Sequence, residues 1–197
     1  MANSVDICNL ALAHIGADSA VTSISPPDGS VEAGYCARFY PLARKIMLAT
    51  FDWEFSTKRV QLAEVTNPSN VWLYAYAQPA DCLKPIHIFK VGATDDEDTA
   101  DYEMEDGVIL TNEKNAVLKY TRDVTDTTRY TPPFVSALSW MLASYLAGPI
   151  LKGVTGANAA SSLLGRAMTE ARAAAANDAN RSDVVTNTHV PQHLKVR

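Results

Sequence analysis

The spacing of apolar residues changes twice along this chain, and that change constrains the fold more than any other feature. Before residue 50 and after residue 131, apolar side chains recur every three or four positions, which is the period of an amphipathic helix. Between them, residues 57–124 alternate at every second position and are interrupted by turn residues, as in antiparallel strands. The pattern therefore predicts two helices, a β segment and two more helices.

Helices at both ends of a chain bury their apolar stripes most economically against each other. We therefore predict an α+β fold in which residues 1–56 and 125–177 form one helical bundle domain. Residues 57–124 form an inserted antiparallel β subdomain. Residues 178–197 lack a periodic apolar pattern, so an extended C-terminal tail is expected there.

Capping and breaking residues mark the expected helices. The first spans 4–15, and the second spans 31–50 with an apolar stripe of five residues. A third helix starts at Thr131, and Gly148-Pro149 is expected to break or kink it before an alanine-rich helix over 157–177. The stripe predicted for the second helix comprises Val31, Tyr35, Phe39, Leu42 and Ile46.

An aromatic strand is predicted at 71–77, where alternation places Trp72, Tyr74 and Tyr76 on one face. Cys82 follows it and has two interpretations. A nucleophilic thiolate would need a base or a cation beside it, and Lys84 is the nearest cation in sequence. No known nucleophile motif surrounds Cys82, so packing in the turn that leaves the strand is favoured.

The chain is strongly acidic between residues 95 and 106, and Asp106-Gly107 predicts the turn of a β-hairpin over 102–110. Carboxylates suit calcium, but this run lacks the spacing of a calcium-binding loop. A solvated loop is therefore favoured over a metal site.

Charge and cysteine content exclude several classes of protein. The net charge of −5 argues against a dedicated nucleic-acid binder. Three widely spaced cysteines and an N-terminus without a signal-peptide pattern indicate a reducing compartment. No apolar run is expected to approach the ~18 residues of a membrane span. A soluble protein made in the cytoplasm is expected.

Catalytic motifs are missing from the sequence. It contains no GxGxxG, GxxxxGK[ST] or GxSxG, and His189 and His193 are four residues apart without an HExxH motif. Asp101 and Glu103 would share one face of a strand, which leaves a two-carboxylate glycan hydrolase as an alternative. No catalytic, cofactor-binding or metal-binding residue is predicted.

Five stretches carry a family resemblance when they are taken in order. DICNLALAHIG (6–16) and ARFYPLARKIML (37–48) resemble segments of the tail tubular protein A family, the head-to-tail adaptors of short-tailed phages. Three further stretches resemble the same family: FDWEFSTKR with the following QLA, WLYAYAQPADCL (72–83), and PFVSAL with LASYLAGP in 133–149. The resemblance spans roughly 6–150 and includes neither 92–115 nor the residues after 178.

The resemblance implies a non-enzymatic structural protein of the virion, made in the host cytoplasm and located in the phage neck. Such adaptors form a ring, typically a dodecamer, that joins the portal protein to the tail nozzle protein. The ring lines the DNA channel without binding DNA specifically, and it needs no cofactor and no membrane. The alternatives are a head-completion protein at another level of the neck and, with less support, the glycan hydrolase.

Overall fold

A computed structural model describes residues 2–93 and 98–186, with side chains as far as residue 177. The chain divides into two compact units, Met1–Met47 with Thr127–Arg197, and Leu48–Asp126. The second unit begins at Leu48, upstream of the predicted start of the β subdomain at residue 57. One reason is the ion pair between Asp52 Oδ1 and Lys84 Nζ, 2.9 Å apart, which ties the segment after Leu48 to a strand of the same unit.

In the part of the chain that the structure describes, four helices and two antiparallel sheets confirm the α+β fold class. In α1, Asn3 accepts from the backbone of Asp6 and Asp6 accepts from the backbone of Asn3, so a reciprocal cap fixes the first turn. Both α1 and α4 pack against α3, which is the most buried helix. The helices are α1 (Ser4–His14), α2 (Val31–Thr50), α3 (Pro132–Leu151) and α4 (Gly153–Thr186), with short 3-10 helices at Glu54–Ser56 and Thr127–Arg129.

The predicted break of the third helix at Gly148-Pro149 and the predicted end of the fourth helix at 177 were wrong, while the alternative of a kink at Gly148-Pro149 stays a prediction. α3 continues through Gly148-Pro149 to Leu151, because packing against neighbouring helices outweighs the loss of one backbone hydrogen bond at Pro149. α4 continues past residue 177 to Thr186, so the predicted extended tail does not begin at 178. No glycine or proline lies between 178 and 186, and a helix already formed gains a hydrogen bond with each added residue. The rest of the predicted tail, 187–197, lies outside the described residues.

The expectation that no apolar run approaches the length of a membrane span was also wrong. Judged by length and composition alone, α3 is long and apolar enough to cross a bilayer. More than half of its most apolar window is buried inside the protein, and the core helix of a soluble protein meets the same criteria. The helix therefore carries no membrane assignment.

The second unit contains two sheets whose strands are all antiparallel, as predicted for 57–124. The four-stranded sheet has the order β1-β7-β3-β4, and the three-stranded sheet has the order β2-β6-β5. The predicted aromatic strand is shorter than expected, because pairing begins at Tyr74. The strands are β1 (Thr57–Gln61), β2 (Tyr74–Ala77), β3 (Cys82–Phe89), β4 (Thr99–Ala100), β5 (Tyr102–Glu105), β6 (Val108–Thr111) and β7 (Val117–Arg122).

One apolar cluster joins the two sheets. Tyr76 and Ile109 from the three-stranded sheet meet Ile88, Leu118 and Tyr120 from the four-stranded sheet. Tyr76 is buried and Tyr74 packs partly against the cluster, so the inward packing predicted for the aromatic strand holds for both tyrosines. The predicted hairpin is confirmed as well, since β5 and β6 are joined by Asp106 and Gly107 at φ 45° and 76°.

Candidate assembly surface

Helix α2 buries a different row of residues from the one predicted. The inner row consists mainly of small or flexible side chains, Ala33, Cys36, Tyr40, Ala43 and Met47. The predicted stripe lies beside this row on the helix surface and is more exposed, with Val31 67% exposed and Leu42 47% exposed. Both rows have helical spacing, so periodicity alone cannot separate them. The fold of the whole unit buries the inner row, and local spacing does not record that choice.

The predicted stripe therefore forms an outer row on α2, defined as Val31, Tyr35, Phe39, Leu42 and Ile46. Two of its aromatic rings stack along the helix, with the centroids of Tyr35 and Phe39 6.4 Å apart. Phe39 also stacks on Tyr145 of α3 at 6.1 Å. All three rings are only partly buried, so this face of the helical unit presents aromatic surface to solvent. Contiguous apolar surface of this kind marks sites of association.

A second set of contacts ties three helices together around Trp140. The imidazole of His14 on α1 stacks on its indole with centroids 3.4 Å apart and an interplanar angle of 9°. The guanidinium of Arg166 on α4 lies 4.0 Å from the same ring. Arg166 Nε also donates to Glu170 Oε1 at 3.2 Å, an i,i+4 ion pair on α4.

The His14 site also contains a serine and a carboxylate, but not in the order that nucleophilic catalysis needs. Ser139 Oγ lies 3.0 Å from His14 Nε2 and donates its proton to the Ser136 carbonyl oxygen at 2.7 Å. The Ser139 hydroxyl therefore has a backbone acceptor as well as the imidazole beside it. Glu170 accepts from Ser136 Oγ at 2.6 Å, so the carboxylate orients a different serine. The arrangement is that of a helix-packing network.

Cys82 begins β3 and packs partly against the cluster between the sheets. Burial raises the pKa of its thiol, which is the opposite of what an activated thiolate requires. This supports the packing interpretation.

The residue before Cys82 has a role that the sequence did not reveal. Asp81 Oδ1 accepts from the Tyr120 hydroxyl at 2.7 Å, and Asp81 Oδ2 accepts from Lys58 Nζ at 3.2 Å. One carboxylate thus joins β1, β7 and the turn before β3. Local spacing gives no signal for these contacts, because the partners lie 23 and 39 residues away.

The other sequence candidates are only partly described. Residues 94–97 of the acidic run, and both His189 and His193, lie outside the described residues. Among the side chains described, those of 2–93 and 98–177, there is no group of three or more His, Cys, Asp or Glu residues placed to hold a metal ion. Glu103 accepts from Trp72 Nε1 at 2.9 Å, and Asp101 lines a cleft in the β unit.

Comparison with known proteins gives no family assignment: no model of a protein family matches this chain, and no curated protein sequence matches it.

Proposed function

We propose that this chain is a structural protein of a short-tailed phage virion. In this proposal it is a head-to-tail adaptor whose copies form a ring, with a dodecamer as the expected size. The ring joins the portal protein to the tail nozzle protein and lines the DNA channel. The protein is made in the host cytoplasm and works in the virion neck without enzymatic activity, cofactor or membrane. Five sequence segments that resemble the tail tubular protein A family in order support the proposal.

The outer row on α2 is the observation that carries it. Phe39, Leu42 and Ile46 lie within 37–48, one of the five segments that resemble the adaptor family. Leu42 is not part of the core, because the residues that α2 buries there are those of the inner row. Association removes such apolar surface from water, and a ring built from one kind of chain uses a heterologous interface that closes by rotation.

Charge is consistent with a channel that DNA passes through. A protein that binds DNA tightly neutralises phosphates with Lys and Arg, and affinity then rises steeply as salt falls. This chain instead carries a net charge of −5, so its long-range interaction with DNA is repulsive. A repulsive wall suits a conduit, because DNA must leave without being retained.

The test is sedimentation velocity of the purified chain over a range of concentrations, alone and with the portal protein. We expect concentration-dependent assembly alone or on the portal, and we expect Leu42→Glu to abolish it. Val71→Glu is the matched control, since Val71 is 82% exposed in the other unit and receives the same charge. Equal assembly by both variants would overturn the role of the outer row.

Binding partners separate the adaptor from its alternatives. The adaptor must bind both the portal protein and the tail nozzle protein, measured by pull-down with each purified partner. A head-completion protein at another level of the neck would bind one of them and not the other. Polysaccharide turnover that Asp101→Asn removes would favour the glycan hydrolase and contradict the proposal.

A further inference from the structure

A cleft of about 360 Å³ opens in the β unit, at the end of the two sheets where several strands begin or finish. Trp72 precedes β2, Asp101 separates β4 from β5, Asn112 and Glu113 follow β6, and Lys90 follows β3. The volume falls within the range of small-ligand sites. The lining combines one large aromatic ring with several polar groups, as recognition sites commonly do.

Hydrogen bonds fix the aromatic wall of the cleft. Trp72 Nε1 donates to Glu103 Oε2 at 2.9 Å, and the Trp72 carbonyl oxygen accepts from Asn67 Nδ2 at 2.7 Å. The indole is therefore anchored at both its ring and its backbone. A ring held in place binds a ligand without first losing conformational entropy.

The polar wall is fixed in the same way. Thr111 Oγ1 donates to the Asp101 carbonyl oxygen at 2.9 Å and holds that residue's backbone. Asn112 Oδ1 accepts from the backbone N–H of Leu73 at 3.1 Å. Glu113 Oε2 accepts from the backbone N–H of Val91 at 3.4 Å. These three hydrogen bonds hold the backbone around the polar wall.

Charges in the cleft do not balance. The ammonium of Lys90 is 3.1 Å from Asp98 Oδ1, so its charge is already compensated. Glu113 receives a backbone donor but no cation in the described part of the chain. Asp101 is exposed, and its carboxylate makes no ion pair with the side chains that the structure describes, those of 2–93 and 98–177. A cationic ligand would meet two uncompensated carboxylates there.

We propose that this cleft binds the guanidinium group of an arginine side chain presented by a partner protein. A guanidinium stacks on an indole face and donates from a planar fork to carboxylates, which matches Trp72 beside Asp101 and Glu113. A lysine would satisfy the charge but could not stack as a plane, and a neutral sugar would leave both carboxylates uncompensated. This inference stands on the cleft alone and does not depend on the proposed adaptor role.

The probe is N-acetyl-arginine-N-methylamide, titrated into the full-length ¹⁵N-labelled chain and followed by NMR through the indole N–H signal of Trp72. That signal is assigned by its disappearance in Trp72→Phe. We expect saturable binding with a dissociation constant of about 1 mM, typical of a single preorganised side-chain site. The isosteric but uncharged citrulline analogue is expected to bind at least about tenfold more weakly.

Asp101→Asn is expected to weaken arginine binding about tenfold. Asp106→Asn is the matched control, because it removes the same charge at the hairpin turn, where asparagine tolerates the φ of 45°. The control should bind like the unmodified chain. The proposal would be overturned if the arginine probe did not bind, or if the citrulline analogue bound with equal affinity. It would also be overturned if both variants lost the same affinity, or if N-acetylglucosamine bound saturably in place of the arginine probe.

Discussion

The turn between α3 and α4 makes a sharp stability prediction at Gly156. Lys152 alone separates the two helices, so α4 leaves the turn in close contact with the end of α3. A Cβ atom at Gly156 would lie 2.9 Å from the carbonyl oxygen of Ala147 and 3.3 Å from the Cα of Gly148. Both are backbone atoms, so the helices themselves would have to move apart.

Two effects of Gly156→Ala oppose each other. Alanine favours a helix over glycine by about 1 kcal/mol, whereas overpacking costs about 1–3 kcal/mol. We therefore expect a net loss of free energy of unfolding of up to about 2 kcal/mol. Gly165→Ala on the same helix is the matched control, because nothing lies within 4 Å of its added Cβ. The control should gain about 0.5–1 kcal/mol.

The measurement is urea unfolding followed by circular dichroism at 222 nm, which reports mainly on the helices. The two variants should differ by about 1–3 kcal/mol, with Gly156→Ala the less stable. The reasoning is refuted if both variants gain stability equally, because the close approach of α4 to α3 would then be wrong.

Three further predictions use the same unfolding assay. Burial and the positive charge of Arg166 lower the pKa of His14 below 6.5, and the negative charge of Glu170 only partly offsets them. Because the unfolded chain then binds a proton more readily than the folded one, the free energy of unfolding should be highest above pH 6.5 and should fall as the pH drops towards the folded pKa. His14→Gln should lose this dependence, compared at about pH 7.5 and about pH 5. Asp81→Ala and Tyr120→Phe should each lower the free energy of unfolding by about 1–2 kcal/mol, because each removes the 2.7 Å hydrogen bond between these side chains. In a double-mutant cycle their effects should not add, and strict additivity would contradict this contact. Cys82→Ser should cost about 1 kcal/mol, and a loss above about 4 kcal/mol would contradict its half-buried place.

Elements whose signals are local could be predicted from the sequence. Asn3 caps α1 through contacts within one turn, and Asp106-Gly107 supplies the two positive φ angles that a tight hairpin needs. The change of period from helical to alternating likewise separated the helices from the strands, because it reflects which face of each element is buried.

Features that depend on distant contacts could not be predicted. The choice between two apolar rows on α2 depends on which face the rest of the protein covers, and the spacing of Val31 or Ala33 does not record that. The stack of His14, Trp140 and Arg166 brings together three helices. The arginine cleft likewise combines Trp72 with Glu113, which only strand pairing brings together.

The outer row also changes how the predicted stripe should be interpreted. Leu42 and Val31 gain little from burial in the isolated chain, yet each exposes apolar area whose transfer from water is worth roughly 25 cal/mol per Å². Scattered exposed apolar residues need no explanation, but these share one helix face with the stacked rings of Tyr35 and Phe39. That free energy is recovered only when another surface covers the row. An amphipathic pattern on α2 can therefore encode two interfaces, an inner one that folds the helical unit and an outer one that we infer assembles it.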